Sequence, residues 1–296
     1  MNNYFRAVIS FCSFILSLGF ITIAQSLEAV NIQTLVDGLH RGQPPFTYPL
    51  DIKVFKGKST DEEVILCCHG FGGDSSIASV VASYQIVPAH LVGFNFPDYN
   101  ITARNLSPSQ VSYGSIDELL PAIYLLKKMA VEAQANKISL YGFSMGGGAV
   151  VNIIAVLNTS QNDQRLNSIG VSREDKQKIL AALQKGVILL DAPLKSMEEY
   201  NAAHPAYQEN PLNVWQTKRY RENGMRPIDA LAKWQGLNLS VVLFFQNPDE
   251  SLSNRDDALY MEKLLQANPK GRNMLLSGSE GGHLGFHTSL WKAYLT

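Results

Sequence analysis

Short apolar runs alternate with longer amphipathic segments along most of this chain. The apolar runs predict strands at 51–55, 63–68, 91–96, 138–141, 187–190, 241–245 and 273–276. The segments between them predict helices at 75–84, 115–135, 146–157, 173–184, 255–266 and 285–295. Most of the runs are apolar throughout, which is typical of strands that helices cover on both faces. The pattern therefore predicts an α/β fold with a doubly wound, mostly parallel sheet of about seven or eight strands.

One predicted strand-to-helix junction carries a serine in a distinctive setting. Residues 142–146 have the pattern G-x-S-x-G, between the predicted strand 138–141 and the predicted helix 146–157. A serine on so sharp a turn sits in strained backbone geometry, with its hydroxyl clear of the sheet. The flanking glycines are expected because a Cβ at either position would collide across the turn. We therefore predict that Ser144 is a nucleophile.

Residues that suit hydrolytic chemistry follow three other predicted strands. The glycine-rich sequence HGFGG occupies 69–73, Asp249 follows a later apolar run, and His283 lies in a glycine-rich segment after the last run. The order Ser144, Asp249, His283, with the serine turn and the HGFGG loop, resembles the α/β-hydrolase family, whose triad runs nucleophile, acid, histidine. The resemblance extends from about residue 51 to the C-terminus. It implies an α/β-hydrolase fold with a small cap insertion.

His283 is the candidate base, because a serine hydroxyl needs an adjacent group to take its proton. The neighbouring Gly282 and Gly285 allow its ring to approach the serine turn closely. His287 is the rival, but it would lie one turn into the predicted terminal helix and face differently.

The resemblance implies that Asp249 is the acid that accepts the Nδ1–H of His283. Two alternatives stay open at this point. Gln246 stands where the family usually has glycine, so the turn differs and leaves Glu250 as a second candidate. Asp191 follows the preceding predicted strand, from which some family members draw the acid.

Two backbone N–H groups are expected to bind the oxyanion of the reaction. Met145 follows the nucleophile at a helix N-terminus, where N–H groups lack intrahelical partners, and Phe71 lies in the HGFGG loop. His69 is expected to be a buried support of that loop. The spacing of His69 with Cys67 and Cys68 is wrong for a chelate, so we predict no metal, and no motif indicates a cofactor.

The N-terminus has the features of a secretory signal peptide at 1–26. Arg6 precedes a long apolar run, and Ala24 and Ser26 provide small residues at the spacing of a cleavage site. The alternative is a retained membrane anchor, because the run nearly spans a bilayer. We prefer the cleaved signal because of the small-residue site, which predicts a secreted or periplasmic protein with a hydrolase domain at 27–296.

Composition narrows the remaining possibilities. The net charge of −1 gives no reason to expect nucleic acid as a partner, and no oligomeric state is indicated. Only Cys67 and Cys68 follow the signal segment; adjacent strand residues point to opposite faces, so we expect two buried free thiols rather than a disulfide.

The predicted alternation of strands and helices fails in the segment 195–237, which is rich in aromatic and polar residues. We interpret it as a cap that shapes the substrate pocket, since long irregular loops are uncommon in compact domains unless they are functional. A plain connection with one or two helices is the alternative.

The sequence predicts an exported serine hydrolase that cleaves carboxylic esters through an acyl-enzyme on Ser144. A small-molecule ester or amide is the expected partner, with no stable membrane association after signal cleavage. Two alternatives are a peptidase or acyltransferase with the same triad and an inactive binding protein that keeps the fold. Labelling of the serine by a fluorophosphonate would separate an enzyme from a binding protein.

Overall fold

The computed structural model describes residues 32–46, 48, 50–57, 63–83, 89–97, 114–205, 209, 211–246, 256–278, 283 and 290–291. The described strands are β1 (Ile52–Phe55), β2 (Glu63–Cys68), β3 (His90–Phe94), β4 (Lys137–Phe143), β5 (Val187–Asp191), β6 (Ser240–Gln246) and β7 (Asn273–Gly278). The described α-helices are α1 (Ile32–His40), α2 (Ile77–Ser83), α3 (Ile116–Lys127), α4 (Met145–Leu157), α5 (Asp163–Ser168), α6 (Arg173–Lys185), α7 (Met197–Ala203), α8 (Pro211–Glu222), α9 (Pro227–Ala230) and α10 (Asp257–Ala267).

The seven described strands form one sheet in the order β1-β3-β2-β4-β5-β6-β7. Only the pairing of the edge strand β1 with β3 is antiparallel; every other described pairing is parallel. The exposed Lys53 gives β1 a mixed burial pattern, whereas all six residues of β2 are buried. The predicted α/β fold with a mostly parallel sheet is confirmed.

The core lies on both faces of this sheet. Along β2, Val64, Leu66 and Cys68 pack in the larger cluster with α3, α4 and α6, while Ile65 and Cys67 pack in a smaller cluster with α2. The two cysteines are therefore buried on opposite faces as free thiols, as expected, and burial raises the pKa of both.

Most predicted elements are present with small shifts at their ends, whereas the predicted helix 285–295 lies outside the described residues except for 290–291. The predicted helix 115–135 is α3 followed by a π-helical turn at Lys128–Glu132. Helix α1 was not predicted; it packs Leu35 and Leu39 into the larger core. Within the part of the chain that is described, no helix combines the length and apolar character needed to cross a bilayer.

Candidate active site

Ser144 forms the sharp turn between β4 and α4. Its backbone has φ 54° and ψ −120°, a left-handed conformation that residues other than glycine rarely adopt. Two hydrogen bonds hold this strained residue: its N–H donates to the carbonyl of Asp191 (2.9 Å), and its carbonyl accepts from the N–H of Leu194 (2.8 Å). The turn is therefore fixed by the segment that follows the neighbouring strand β5, and the serine hydroxyl stands at the sheet's C-terminal edge.

Glycines allow the chain to come close to itself around this serine. A Cβ on Gly142 would lie 2.7 Å from the carbonyl oxygen of Gly146 and from the Cα of Gly147, so this glycine is required across the turn, as predicted. A Cβ on Gly146 would instead lie 2.5 Å from the carbonyl oxygen of His69 and closer still to that of Cys68. The second glycine is therefore required by the end of β2.

His283 and Ser144 are brought together by the fold. The Nε2 atom of the histidine lies 3.1 Å from the serine Oγ, within hydrogen-bonding distance. Its ring packs on Phe143, with the ring centroids 5.2 Å apart. A histidine that accepts the serine proton at Nε2 carries its own proton at Nδ1. The rival His287 lies outside the described residues.

Of the three acid candidates, the described residues include Asp191 alone. Asp249 and Glu250 lie outside the described residues; the strand β6 that leads to them ends at Gln246, at the same edge of the sheet as Ser144. The alternative, Asp191, is fully buried at the end of β5. Its Oδ2 accepts a hydrogen bond from the Tyr141 hydroxyl at 2.9 Å.

The HGFGG loop is organised by its histidine. His69 is 1 % exposed, and its Nδ1 lies 2.8 Å from the Gly70 carbonyl while its Nε2 accepts from the Phe96 N–H at 3.0 Å. These contacts require the neutral Nδ1–H tautomer, and burial lowers the pKa of this imidazole to about 4. His69 is a buried support of the loop, as expected.

The same loop turns sharply beside the serine. The N–H of Gly73 donates to the Gly70 carbonyl (3.1 Å), and Gly72 has φ 75°, which favours glycine. The ring of Phe71 is half exposed and lines the pocket next to Ser144 and Met145. The two predicted oxyanion donors therefore belong to residues that border one cavity with the serine.

That cavity is lined mainly by apolar side chains. Its floor comes from Phe71, Ser144 and Met145. Its other walls come from the segment after β5 and from two helices, α7 and α8; the residues are Leu194, Met197, Tyr200, Asn213 and Gln216.

The segment 195–237 contains two structurally different parts. The first comprises α7 and α8, which are joined by a hydrogen bond from Asn201 Nδ2 to Thr217 Oγ1 at 3.1 Å and cover the pocket. The second, from Met225 to Leu237, packs into the main core: the Trp234 indole donates to the Val151 carbonyl of α4 at 3.1 Å. The pocket-covering part is thus smaller than the segment in which the alternation fails.

A buried charge cluster joins the pocket wall to the body of the protein. Lys195 and Glu199 are both almost fully buried and form an ion pair, and Lys195 also pairs with Asp257 at the start of α10. Despite the nearby ammonium, burial raises the pKa of Glu199 to about 8, since desolvation outweighs the attraction of Lys195. Two carboxyl groups, those of Glu199 and Asp257, therefore lie against one buried ammonium group where α7 meets α10.

The composition of the segment 195–237 predicts a cap, but it does not show which residues of α7 and α8 line the pocket. A local signal for α7 was present: Ser196 and Glu199 have the S-x-x-E spacing that begins many helices, and the Glu199 N–H donates to the Ser196 hydroxyl at 3.1 Å. No comparable pattern marks Gln216, because its placement in the pocket depends on how α8 packs.

Comparisons with known proteins extend this description. No protein-family model matches the chain, and no curated protein matches it significantly. Solved structures do resemble it. A carboxylesterase from Lactobacillus plantarum superposes with a TM-score of 0.56 at 16 % identity, over 80 % of this chain and 81 % of that one.

Two further solved structures show the same likeness. A lipase/esterase from Lactobacillus plantarum gives a TM-score of 0.53 at 14 % identity, over 80 % of this chain and 89 % of its own. Est1E from Butyrivibrio proteoclasticus, solved with ferulic acid bound, gives 0.51 at 12 % identity, over 83 % and 92 %. At such identities the likeness concerns the fold. Together with the sheet order and the serine turn, it shows that this chain has the α/β-hydrolase fold.

Proposed function

We propose that the protein is a serine hydrolase that cleaves carboxylic esters through an acyl-enzyme on Ser144. The observation that carries the proposal is the distance of 3.1 Å between Ser144 Oγ and His283 Nε2 at a strained turn beside an apolar pocket. A base within hydrogen-bonding distance is what a serine hydroxyl needs to become a nucleophile. The structural neighbours named above as esterases agree with this chemistry.

In the proposed reaction, His283 takes the serine proton at Nε2 as Oγ attacks the ester carbonyl. The oxyanion that forms is bound by the backbone N–H groups of Phe71 and Met145, the second at the N-terminus of α4, where the helix dipole favours negative charge. Asp249 accepts the Nδ1–H of His283 and stabilises the imidazolium. The alcohol then leaves with the proton from His283. Water gives its proton to His283 as it attacks the acyl carbonyl, and Ser144 leaves with that proton as the acid is released.

The position of the pocket assigns the two halves of the ester. The leaving oxygen must lie beside His283, because it receives a proton from Nε2. Among the described residues that line the pocket, Ser144, Phe71 and Met145 are present, whereas His283 is not. We therefore assign the pocket to the acyl group, with the alcohol on the side of His283.

The test combines labelling and turnover in the purified protein. A fluorophosphonate probe should label the wild type at Ser144, and p-nitrophenyl esters should be hydrolysed. Ser144→Ala should lose both while its unfolding curve stays close to that of the wild type. Near-normal turnover by Ser144→Ala would move the nucleophile elsewhere, and a folded wild type that neither labels nor hydrolyses esters would favour a binding protein.

Export is a separate proposal, supported by the N-terminal sequence alone. The mature protein should begin near Leu27, after the small residues Ala24 and Ser26. The intact mass of the protein recovered from the extracellular or periplasmic fraction would measure this. Recovery of the full-length chain in the membrane fraction would instead indicate a retained anchor.

A further inference from the structure

One polar side chain in the acyl pocket has an unusual setting. Gln216 lies on α8 and is 3 % exposed, yet it borders the cavity that contains Ser144. Within the part of the chain that the structure describes, its carboxamide takes part in no hydrogen bond or ion pair. An amide that borders the cavity and makes no hydrogen bond within the described part of the protein can pair with a polar group that enters the cavity.

The surroundings of Gln216 are mostly apolar. Leu194, Met197 and Met145 form much of the same cavity, with Ser144 on its floor and α8 in its wall. An acyl group attached to Ser144 would extend from the floor between these apolar side chains toward α7 and α8. A wholly apolar acyl group would leave the carboxamide of Gln216 buried and unpaired, whereas a polar group on the acyl chain would pair with it.

We propose that Gln216 is a specificity residue that binds a hydroxyl group on the acyl part of the substrate. A carboxamide offers both a donor and an acceptor, and a hydroxyl complements it because it also does both. The substrate class is therefore an ester whose acyl group is largely apolar and carries a hydroxyl away from the carbonyl. This proposal rests on the proposed function of Ser144 and adds the chemical character of the acyl group.

The first test compares matched substrates. The p-nitrophenyl esters of 6-hydroxyhexanoic and 8-hydroxyoctanoic acid are compared with the hexanoate and octanoate, as ratios of kcat/KM. Gln216→Met keeps the length of the side chain and removes its hydrogen bonds. The ratio of hydroxylated to plain ester should fall about 10-fold at the better chain length, because the buried hydroxyl of the substrate loses its hydrogen-bond partner. The control Gln184→Met, on the exposed side of α6, should leave the ratio unchanged.

A stability measurement separates this role from a structural one. If Gln216 served only the fold, Gln216→Met would lower the melting temperature. If it serves to bind a substrate group, the variant should melt at the same temperature as the wild type or higher, because the substitution removes no hydrogen bond within the described part of the fold. An unchanged substrate ratio would overturn the proposal, and a clear drop in melting temperature alongside it would assign Gln216 to the fold alone.

A binding measurement makes the result independent of catalysis. In Ser144→Ala, calorimetric titration with 8-hydroxyoctanoate and octanoate should show that Gln216→Met weakens only the hydroxylated acid. If the wild type hydrolyses no ester while this difference in binding is found, the proposed function fails and the assignment of Gln216 stands. If esters are hydrolysed and neither the ratio nor the binding changes, the assignment fails and the proposed function stands.

Discussion

Replacing His69 by phenylalanine would test how the loop beside the serine is held. Phenylalanine fills a similar volume but cannot accept from the Phe96 N–H or donate to the Gly70 carbonyl. Gly70 keeps its bond from the Gly73 N–H, so the larger loss is at the buried Phe96 N–H. Adding one lost hydrogen bond to one desolvated donor predicts a loss of about 2–4 kcal/mol in the free energy of unfolding at pH 8.

The same substitution has a pH dependence with a defined sign. Burial lowers the pKa of His69 from its ordinary value of 6.5 to about 4 in the folded protein. A group with a lowered folded pKa contributes stability that is present above 6.5 and is lost as the pH falls through 4. From these two values, the wild type should lose about 2 kcal/mol of this contribution between pH 8 and pH 5. The stability difference between wild type and His69→Phe should shrink by that amount.

Urea unfolding of both proteins at pH 8, 6.5 and 5 would measure this difference. Groups that titrate equally in both proteins cancel when the two free energies are subtracted. The exposed His40, at the end of α1, provides the matched control, and His40→Phe should change the free energy of unfolding little because the side chain is exposed. A His69→Phe difference that is constant or grows toward pH 5 would refute the assignment of a neutral, buried imidazole.

Three further predictions concern the acid, the close approach of the backbone and the buried charges. Asp249→Asn should lower kcat by about 10⁴ with little change in the urea midpoint, and Asp191→Asn should cost far less; the reverse result would move the acid to the end of β5. Gly146→Ala should lower the free energy of unfolding by about 3 kcal/mol or more, because the added Cβ meets main-chain oxygens. The control Gly236→Ala, at φ 86° with open space around it, should cost only about 1–2 kcal/mol. Equal urea midpoints for the two variants would contradict the collision at Gly146. The folded pKa of Glu199 is raised from 4.5 to about 8, so its contribution to stability is present below pH 4.5 and is lost as the pH rises through 8. The melting temperature of the wild type, relative to that of Glu199→Gln, should therefore fall between pH 5 and 9. A difference that stays constant over this range would contradict the raised pKa.

Local patterns predicted the parts of this molecule that depend on neighbours in sequence. The apolar runs are strands because residues such as those of β2 are buried on both faces, and this leaves a continuous hydrophobic signal. The G-x-S-x-G pattern predicted the strained turn at Ser144, because a tight turn restricts residue type locally. Element ends shifted by a few residues, which periodicity does not define.

The parts that depend on tertiary packing were not predictable in the same way. A Cβ on Gly146 would collide with the end of β2, which is far away in sequence, so the turn pattern alone does not predict this collision. The sequence shows the segment 195–237 as one unit because aromatic and polar residues occur throughout it. Only packing separates α7 and α8 over the pocket from Trp234 in the core.

The geometry around Ser144 is built almost wholly from main-chain atoms: carbonyl oxygens of Asp191, Cys68 and His69, and the N–H of Leu194. The pocket, by contrast, takes its character from side chains on α7 and α8. Reactivity and acyl preference are thus encoded in separate features of the chain. A combinatorial library confined to Met197 and Gln216 should therefore yield variants with altered acyl preference whose serine still reacts with a fluorophosphonate at close to the parental rate.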